Sequence, residues 1–460
     1  MRSTSQEPDS PVVAIIDLLT GLLLGASLLA APWMLGSVSH RAIGWLNGAC
    51  YLLGGLWLTR LLLVRKLSGR QIPFLAIGIF LLVWHAVSAM NAPADWTRLS
   101  SSWLPSSSDV GAGWFEFRKH LALWFMFAAG ATWTASTRGN DATRRARWLL
   151  GALVLNAVVL GSVCLAQRLS GVEKLLFTYD PPIAGLVFSW GPFYYRGNGA
   201  QYFNLVWPVA LGLALYGFRK NRWSAGAITA GLAFCFLLVL PPITASRTGL
   251  IACGATSLLA VGAFAVHARR PGRILASGLV VLLVAGCVVA LVGRKGFETR
   301  SGSFAKIFQT EDGRSRQNRN SREMLEDHPL MGVGPGTYEA AFRTYKFPNA
   351  WMGPDIDPTR GDIKGYYFDY TRAHNDWLRL LVEWGILGFI PIAAALLLTL
   401  LNAFRKTAVG AEIRTGLGLA IGSYLISAWA DYGLEVHSIF LTLTGYAAVL
   451  AGLVSVKAAK

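Results

Sequence analysis

The sequence predicts an all-α protein that crosses the membrane many times, with about 12 transmembrane helices and one large loop. The first observation is composition, because 53% of the 460 residues are hydrophobic, only 15% are charged, and the mean hydropathy is +0.44. Such values are typical of a polytopic membrane protein and exclude an ordinary soluble domain. The second is that the apolar residues form runs of about 20, the length of a bilayer-crossing helix.

Nine predicted spans precede the large loop and three follow it. We therefore expect a region of spans with short loops at 1–293, a loop region bearing the functional site at 294–385, and three final spans at 386–460. The first span has a leader with a single Arg2, so we expect an uncleaved anchor rather than a signal peptide. The predicted spans are about 12–33, 42–64, 73–90, 119–136, 148–166, 201–218, 224–243, 250–266, 274–293, 386–404, 415–430 and 437–455.

The basic residues predict the orientation. Lys and Arg cluster on alternate loops, which places those loops and both termini in the cytoplasm. The formal net charge of +17 therefore reflects membrane orientation, and we expect no nucleic acid partner. The clusters are Arg65, Lys66 and Arg70; Arg138, Arg144, Arg145 and Arg147; Arg219, Lys220 and Arg222; Arg269, Arg270 and Arg273; and Arg405, Lys406 and Arg414.

The opposite face carries longer loops rich in aromatic residues, which favour the membrane interface. In the largest of these loops we expect a helix at 321–328, a turn at 329–336 and a helix at 337–345. The following stretch, 349–370, is rich in Pro, Gly and Asp and is expected to be irregular. These features place the polar chemistry of the chain on one side of the membrane.

The segment 374–388 joins the large loop to the next span. Its apolar residues recur at helical spacing, and Asn375 or Asp376 can cap the first turn because each side chain has an oxygen that accepts from backbone N–H groups. His374 is then expected at the mouth of this helix. Gly385 and Gly388 offer a small face that another helix can approach closely.

Arginines at several places on the same side indicate an anionic ligand. Arg247 lies in a tight hairpin between two apolar runs, where an ionisable group is costly unless it has a partner. Guanidinium groups suit phosphate oxygens, because each offers a fork of donors and a permanent charge. Beside a histidine they predict a site for a lipid diphosphate. The candidate ligands of that diphosphate are Arg196, Arg247, Arg319, Arg322 and Arg372.

Four short motifs resemble the O-antigen ligase and O-antigen polymerase superfamily. They are His-Asn-x-x-Leu-x-x-Leu-x-Glu-x-Gly-x-x-Gly at 374–388, Ser246-Arg247-Thr248-Gly249, His328-Pro329-Leu330-Met331-Gly332-Val333-Gly334, and Arg196-Gly197-Asn198. The resemblance implies a glycosyltransferase of the bacterial inner membrane. Such enzymes take a glycan from undecaprenyl diphosphate on the periplasmic face, without metal or other cofactor, and their large periplasmic loop covers the site. His374, Arg196 and Arg247 fall on motif positions, whereas Arg319, Arg322 and Arg372 do not.

The chemistry of the residues agrees with this resemblance. Departure of a prenyl diphosphate needs fixed positive charge, which Arg196 and Arg247 offer. The acceptor hydroxyl needs a base that works near neutral pH, and we expect His374 to be that base and to invert the anomeric centre. Asn375 and Glu383 are expected to support it. Asp355 and Asp357 resemble a metal-binding pair, but turn formation explains them equally well.

Other interpretations remain open. His374 can be a simple helix cap, Arg247 can extend to lipid headgroups, and Arg196 can anchor its loop to lipid phosphate. The roles of several further polar residues stay unassigned: Asp17 and His85 within spans, and Asp431, Glu435 and His437 in a later turn on the same side as His374.

The acceptor is also open. It can be lipid A-core, as in a ligase, a growing glycan, as in an O-antigen or exopolysaccharide polymerase, or a protein hydroxyl. Polymerases often carry Arg-x10-Gly repeats in two outer loops, and none of the outer-loop arginines has Gly at that spacing, which favours the ligase. A lipid-linked glycan transporter is the non-enzymatic alternative. Transporters generally show repeated halves with charges at mid-membrane, and the sequence shows no such symmetry.

Overall fold

A computed structural model gives the fold, and its regular elements among the described residues are helices. The described residues are 10–65, 67, 69–91, 104–135, 139–172, 174–180, 189–221, 224–266, 278, 286, 313–346, 373–405 and 410–456. The predicted span 274–293, the irregular stretch 349–370 with Asp355 and Asp357, and Arg372 lie outside them, apart from positions 278 and 286.

Eight of the described helices precede the large loop, and each coincides with one of the first eight predicted spans. Several of these helices extend beyond the apolar run into polar sequence, where their backbone N–H and C=O groups still form helical hydrogen bonds. They are α1 (Pro11–Ala30), α2 (His40–Val64), α3 (Ile72–Met90), α4 (Val110–Ala135), α5 (Gly139–Ser170), α6 (Arg196–Lys220), α7 (Ala225–Ile243) and α8 (Arg247–Val266).

The large loop and the last part of the chain contribute five more described helices. The two loop helices expected from the sequence are present, and the first starts earlier than predicted, at Gly313. They are joined by residues 328–337, here called the loop turn. The five helices are α9 (Gly313–Asp327), α10 (Tyr338–Lys346), α11 (Asp376–Ala403), α12 (Ala411–Ser427) and α13 (His437–Ser455).

Eight helices of the described chain are long and apolar enough to cross a membrane, so the multi-pass, all-α architecture is confirmed. They are Pro11–Trp33, His40–Val64, Ile72–Met90, Asp141–Ser170, Ala225–Ile243, Arg247–Ala265, Asp376–Ala403 and His437–Ser455. The helices α4, α6 and α12 are not among them. The shortest, α12, has 17 residues, and α6 opens with polar residues such as Gln201 and Asn204. The total of twelve spans stays a prediction.

The helix α6 lies at the centre of the bundle. It packs against α7 and α12, and Tyr202 and Trp207 on it are fully buried. It approaches α12 closely, since a Cβ atom on Gly212 would lie 2.7 Å from the Glu412 carbonyl oxygen. Small residues allow such contact between helix backbones in a membrane. The helix α6 is thus packed within the bundle, and Arg196 is its first residue.

Asp17, left unassigned by the sequence, belongs to a buried ion cluster that ties α1 to α2 and α5. Its carboxylate lies 2.9 Å from Arg60 Nε and 3.1 Å from Arg145 Nη2. The Arg145 guanidinium also lies over the Trp133 ring, 5.3 Å from its centre. Buried charges must be paired to be tolerated, and these pairs explain how Asp17 and Arg60 lie inside the bundle.

Candidate active site

The helix α11 begins at the His-Asn motif. The Asn375 side chain accepts a hydrogen bond from the Leu378 backbone N–H at 3.0 Å and caps the first turn. Of the two predicted caps, Asn375 is therefore the one used, and the helix starts at Asp376. His374 lies directly before the cap, with 15% of its side chain exposed. The imidazole thus sits at the open end of a fixed helix.

Nine residues into α11, the helix is broken at Gly385. This residue has φ +61° and ψ 179°, a backbone conformation that is strongly unfavourable for any residue with a Cβ atom. The loop turn fills the break. The Val333 N–H donates to the Val382 carbonyl at 2.9 Å, and the Ile386 N–H donates to the Pro329 carbonyl at 2.8 Å. The backbone of the large loop thus replaces helix hydrogen bonds that α11 loses.

Two glycines permit this insertion. A Cβ atom on Gly385 would lie 2.3 Å from the Leu330 carbonyl oxygen, and one on Gly332 would lie 2.5 Å from the Glu383 carbonyl oxygen. The prediction that Gly385 contacts another helix is wrong, because its partner is a turn whose backbone needs the space. Gly388 does face a helix, since its Cβ position is 3.3 Å from Trp84 Nε1 on α3. The motifs at 328–334 and 374–388 therefore fold as one unit.

His328 opens the loop turn. Burial lowers the pKa of its imidazole below the usual value. The Gly332 N–H donates to the His328 carbonyl at 3.1 Å, which closes the turn.

The His374 ring lies against the turn between α12 and α13 (residues 428–436, the α12–α13 turn). Its Nδ1 atom is 3.9 Å from Asp431 Oδ1, and the Asp431 side chain is fully buried. The Tyr432 ring meets the imidazole edge to face at 4.8 Å between centres. Tyr195 stacks on Tyr432 at 5.7 Å. The histidine therefore has a buried carboxylate on one side and a pair of half-buried aromatic rings beside it.

The start of α6 reaches the same place. A Cβ atom on Gly197 would lie 2.6 Å from Asp431 Oδ2, so the first turn of α6 touches the carboxylate that neighbours His374. Tyr195, just before the helix, is 6.4 Å from the His374 ring. Arg196 stands between these two contact residues. The structure thus brings the Arg196 turn and His374 together.

The start of α8, with Arg247 as its first residue, packs on α6. A Cβ atom on Gly249 would lie 2.3 Å from Ala200 Cβ, and Asn204 Nδ2 donates to the Gly249 carbonyl at 2.9 Å. Arg196 and Arg247 therefore open two helices whose first turns are in contact. Helix N-termini attract anions, because their N–H groups are unpaired and the helix dipole is positive there.

The large-loop arginines are placed differently. Arg319 and Arg322 are exposed on α9, whereas Met324 on the same helix is buried in a cluster with Val382 and Ala373. The helix α9 thus packs beside the start of α11 and presents these two arginines to the outside. Contacts around His374 involve the α6 start and the α12–α13 turn instead.

One charged residue near the site was missed by sequence reasoning. Arg379 lies on α11, with Nε 3.1 Å from Glu383 Oε1 and Nη1 3.2 Å from Glu435 Oε1. Arg379 thus forms ion pairs with Glu383 and with Glu435, and the sequence had left the role of Glu435 unassigned. An Arg four residues before a Glu in an otherwise apolar helix was the available signal.

A cavity of about 310 Å³ runs along α11, from Asp376 to Thr399. Its walls come from α3, α4, α12 and α13 and are mainly aliphatic and aromatic. One end is polar and includes Glu116, His120 and Arg379. Asp376, which follows His374 by two residues, also lines the cavity, so the cavity reaches the first turn of α11. The apolar wall includes Phe74, Ile77, Leu81, Leu123, Phe127, Leu396, Leu443 and Ala447.

Histidines also cluster beside this cavity. His85, unassigned from the sequence, contacts His120 at 3.0 Å between Nδ1 atoms, and both rings lie near the Trp384 ring. Glu116 pairs with Lys119 at 2.7 Å. His437 is fully buried at the start of α13. Among the described residues, no three His, Cys, Asp or Glu side chains come together in the way that metal ligands do.

Residues 232–393 match the family model described as O-antigen ligase. The matched segment includes Arg247, the loop turn, His374 and Gly385, and thus the two motifs that the structure joins at the break in α11. Arg196 and Asp431 lie outside the matched segment. None of the curated proteins matches this chain.

Proposed function

Because residues 232–393 place the chain in the O-antigen ligase and polymerase superfamily, we propose that it is a glycosyltransferase that moves a glycan from undecaprenyl diphosphate to lipid A-core. The observation that carries this proposal is the position of His374. Its ring lies beside a buried carboxylate that the first turn of α6, which begins with Arg196, also contacts. A base and a cationic diphosphate site therefore adjoin, as a transfer from a lipid diphosphate requires.

The proposed location is the bacterial inner membrane, with both termini in the cytoplasm and the site facing the periplasm. The basic loop clusters on alternate loops support this orientation. His374, Arg196 and Arg247 all fall on the side opposite to those clusters in the predicted topology. The donor headgroup would then meet the site at the level of the outer leaflet.

Arg196 and Arg247 are proposed to hold the donor diphosphate. Each begins a helix, so each guanidinium is joined by N–H groups of a helix start. This positive charge stabilises the diphosphate as it leaves with the electron pair of the broken glycosidic bond. Arg319, Arg322 and Arg372 are proposed to add weaker, longer-range attraction from the large loop. Guanidinium groups thus supply the charge that a metal ion supplies in metal-dependent transferases.

His374 is proposed to remove the proton from the acceptor hydroxyl. Asp431 faces Nδ1, which leaves Nε2 to take the proton while the acceptor oxygen bonds to the anomeric carbon. Attack opposite the diphosphate inverts that centre. The 3.9 Å separation of Nδ1 and Oδ1 exceeds a hydrogen bond, as catalytic contacts often do before substrate binds. Asn375 supports the ring by capping the helix that follows.

The cavity along α11 is proposed to hold the prenyl chain of the donor. Its length along the helix and its aliphatic wall suit a long hydrocarbon chain. In the donor, only the diphosphate separates this chain from the reacting sugar. In lipid A-core, several sugars separate the acyl chains from the accepting sugar. A chain cavity that reaches the first turn of α11 therefore fits the donor rather than the acceptor lipid.

Lipid A-core is proposed as the acceptor because the outer-loop arginines lack the Arg-x10-Gly repeats of polymerases. A growing glycan or a protein hydroxyl would use the same base and the same diphosphate site. The reaction product distinguishes these three acceptors. Purified protein in lipid should be given a defined undecaprenyl-diphosphate glycan together with lipid A-core, with donor alone, or with an acceptor protein.

A ligase attaches one preformed chain to lipid A-core and produces no ladder from donor alone. A ladder from donor alone would identify a polymerase, and modified protein would identify transfer to a hydroxyl side chain. Absence of transfer to any acceptor, with donor instead moved across the bilayer, would refute the enzymatic proposal and favour a transporter.

A further inference from the structure

We infer that Arg379 and Asp376 are positioning residues that hold His374 and Asp431 at their working separation. This inference rests on the proposed function, because it concerns the same histidine. Neither residue is proposed to touch the substrate's reacting atoms. Their role is to fasten the α12–α13 turn, which carries Asp431, to the first turns of α11, which follow His374.

Asp376 makes the first set of contacts. Its backbone N–H donates to the Ala428 carbonyl at 2.8 Å and to the Asp431 carbonyl at 3.2 Å. Its carboxylate accepts from the Tyr424 hydroxyl at 2.5 Å and from the Leu434 N–H at 3.1 Å. A residue two positions after His374 is thus bonded to both ends of the α12–α13 turn.

Arg379 makes the second set, one helical turn further on. It reaches Glu383 on its own helix and Glu435 on the α12–α13 turn, at 3.1 and 3.2 Å. Only 12% of the Arg379 side chain is exposed, and 3% of Glu383. A guanidinium presents donors on a planar fork and serves two carboxylates at once, which a lysine ammonium does less well. An arginine therefore suits this position better than a lysine.

The charged residues around Arg379 indicate a role different from that of the proposed diphosphate ligands. Asp376, Glu383 and Glu435 surround this one guanidinium, with the Asp376 carboxylate 4.0 Å from Nη1. These carboxylates surround the one guanidinium, so Arg379 itself is not proposed to bind the diphosphate. Arg379 therefore serves the protein's own structure, while Arg196 and Arg247 are left to serve the donor.

The positions of both His374 and Asp431 depend on these contacts of Asp376 and Arg379, here called the clamp. His374 is joined to the start of α11, and Asp431 lies in the turn that Asp376 and Arg379 hold. A displacement of about 1 Å at a catalytic group can lower a rate by about 10²-fold. Loss of the clamp should thus reduce the rate of the chemical step and leave donor binding nearly unchanged.

The test compares R379A, R379K and E435Q with the matched control R343A. Arg343 forms a pair with Glu339 at the same four-residue spacing, but both side chains are more than half exposed. Two readouts are taken on the full-length protein in lipid. One is the transfer rate at saturating donor, with and without added guanidinium ion. The other is the rate at which diethylpyrocarbonate labels His374, followed by mass spectrometry.

We expect R379A to lower kcat by about 10²-fold, with donor KM changed less than about threefold, and guanidinium ion to restore activity several-fold. Labelling of His374 should accelerate several-fold, and R343A should behave as wild type. R379K should keep a part of the activity. Wild-type kcat or wild-type labelling in R379A would overturn the inference.

E435Q decides the matter if R379A does not fold, because it removes only the charge on the turn side of the clamp. Slower transfer and faster labelling support the clamp, and wild-type values for both refute it. Labelling needs no substrate, so it reports on the clamp even if the wild-type protein transfers no glycan. Failure of the proposed function and failure of the clamp are therefore distinguishable.

Discussion

Asp431 Oδ1 lies 3.9 Å from His374 Nδ1, although these residues belong to different helical hairpins and are separated by the whole of α11 and α12. The carboxylate is fully buried, so it acts on the imidazole in a medium of low polarity, where electrostatic effects are strong. The first turn of α6, with Arg196, touches the same carboxylate. This contact joins the three parts of the proposed site.

Replacing Asp431 with Asn should lower the transfer rate on the order of 10²-fold. The amide has the same shape but lacks the charge that favours a proton on Nδ1, so Nε2 is less often the basic nitrogen. Initial rates at saturating donor and acceptor measure the effect. D141N is the control, because Asp141 pairs with Arg144 in an exposed position. An unchanged rate in D431N would mean that the carboxylate does not serve His374.

Replacing Gly385 with Ala should strongly destabilise the folded protein. The new Cβ would meet the Leu330 carbonyl at 2.3 Å, in a backbone conformation that itself costs about 1–3 kcal/mol for other residues. The thermal unfolding temperature of the purified protein should fall sharply. The control G254A adds a methyl group to α8 where no atom from outside that stretch of the helix lies within 4 Å, so stability should be kept. Equal unfolding temperatures for the two variants would contradict the loop-turn insertion.

Arg196 and Arg247 should be needed for donor binding. Changing either to Gln removes a charged fork from the proposed diphosphate site, so donor affinity should fall by about tenfold or more for each. The double variant R319Q/R322Q should lose less, because both side chains are exposed on α9. Binding of a prenyl diphosphate without sugar is the measurement. A larger loss in the α9 variant than in R196Q would place the diphosphate on the large loop instead.

Filling the cavity along α11 should discriminate between donors by chain length. A447F places a ring in the cavity wall, so KM should rise for a donor with a full-length prenyl chain and change little for a short-chain donor. L397F on the exposed face of α11 is the control. If A447F affects both donors equally, or neither, the cavity is not the chain site.

Structural features that depend on residues close together in the sequence could be predicted. Apolar runs gave eleven helices close to their observed positions, and the Asn375 cap followed from side-chain chemistry. The contacts that complete the site depend on tertiary structure. The sequence around Asp431 does not distinguish it from a solvated turn residue. The contact between Arg379 and Glu435 joins residues that are distant in the chain, so it is seen only in the folded protein.

Gly385 illustrates how a correct signal led to a wrong partner. Its small size did indicate a close approach, and helix packing is the commonest reason for this in a membrane. The positive φ and the inserted backbone of Leu330 follow only from the folded loop. Arg319 and Arg322 had charge but no motif, and the structure exposes them on α9. Motif support thus distinguished Arg196 and Arg247, which begin two helices in contact, from Arg319 and Arg322, which are exposed on α9.

The most direct test of the account is transfer by His374→Ala. The purified variant in lipid should bind the undecaprenyl-diphosphate glycan as wild type does, because Arg196 and Arg247 remain. It should transfer no glycan to lipid A-core, and in cells the lipid-linked donor should accumulate with its full-length chains. Normal product from the folded variant would contradict the account, since no other group is proposed to take the acceptor proton.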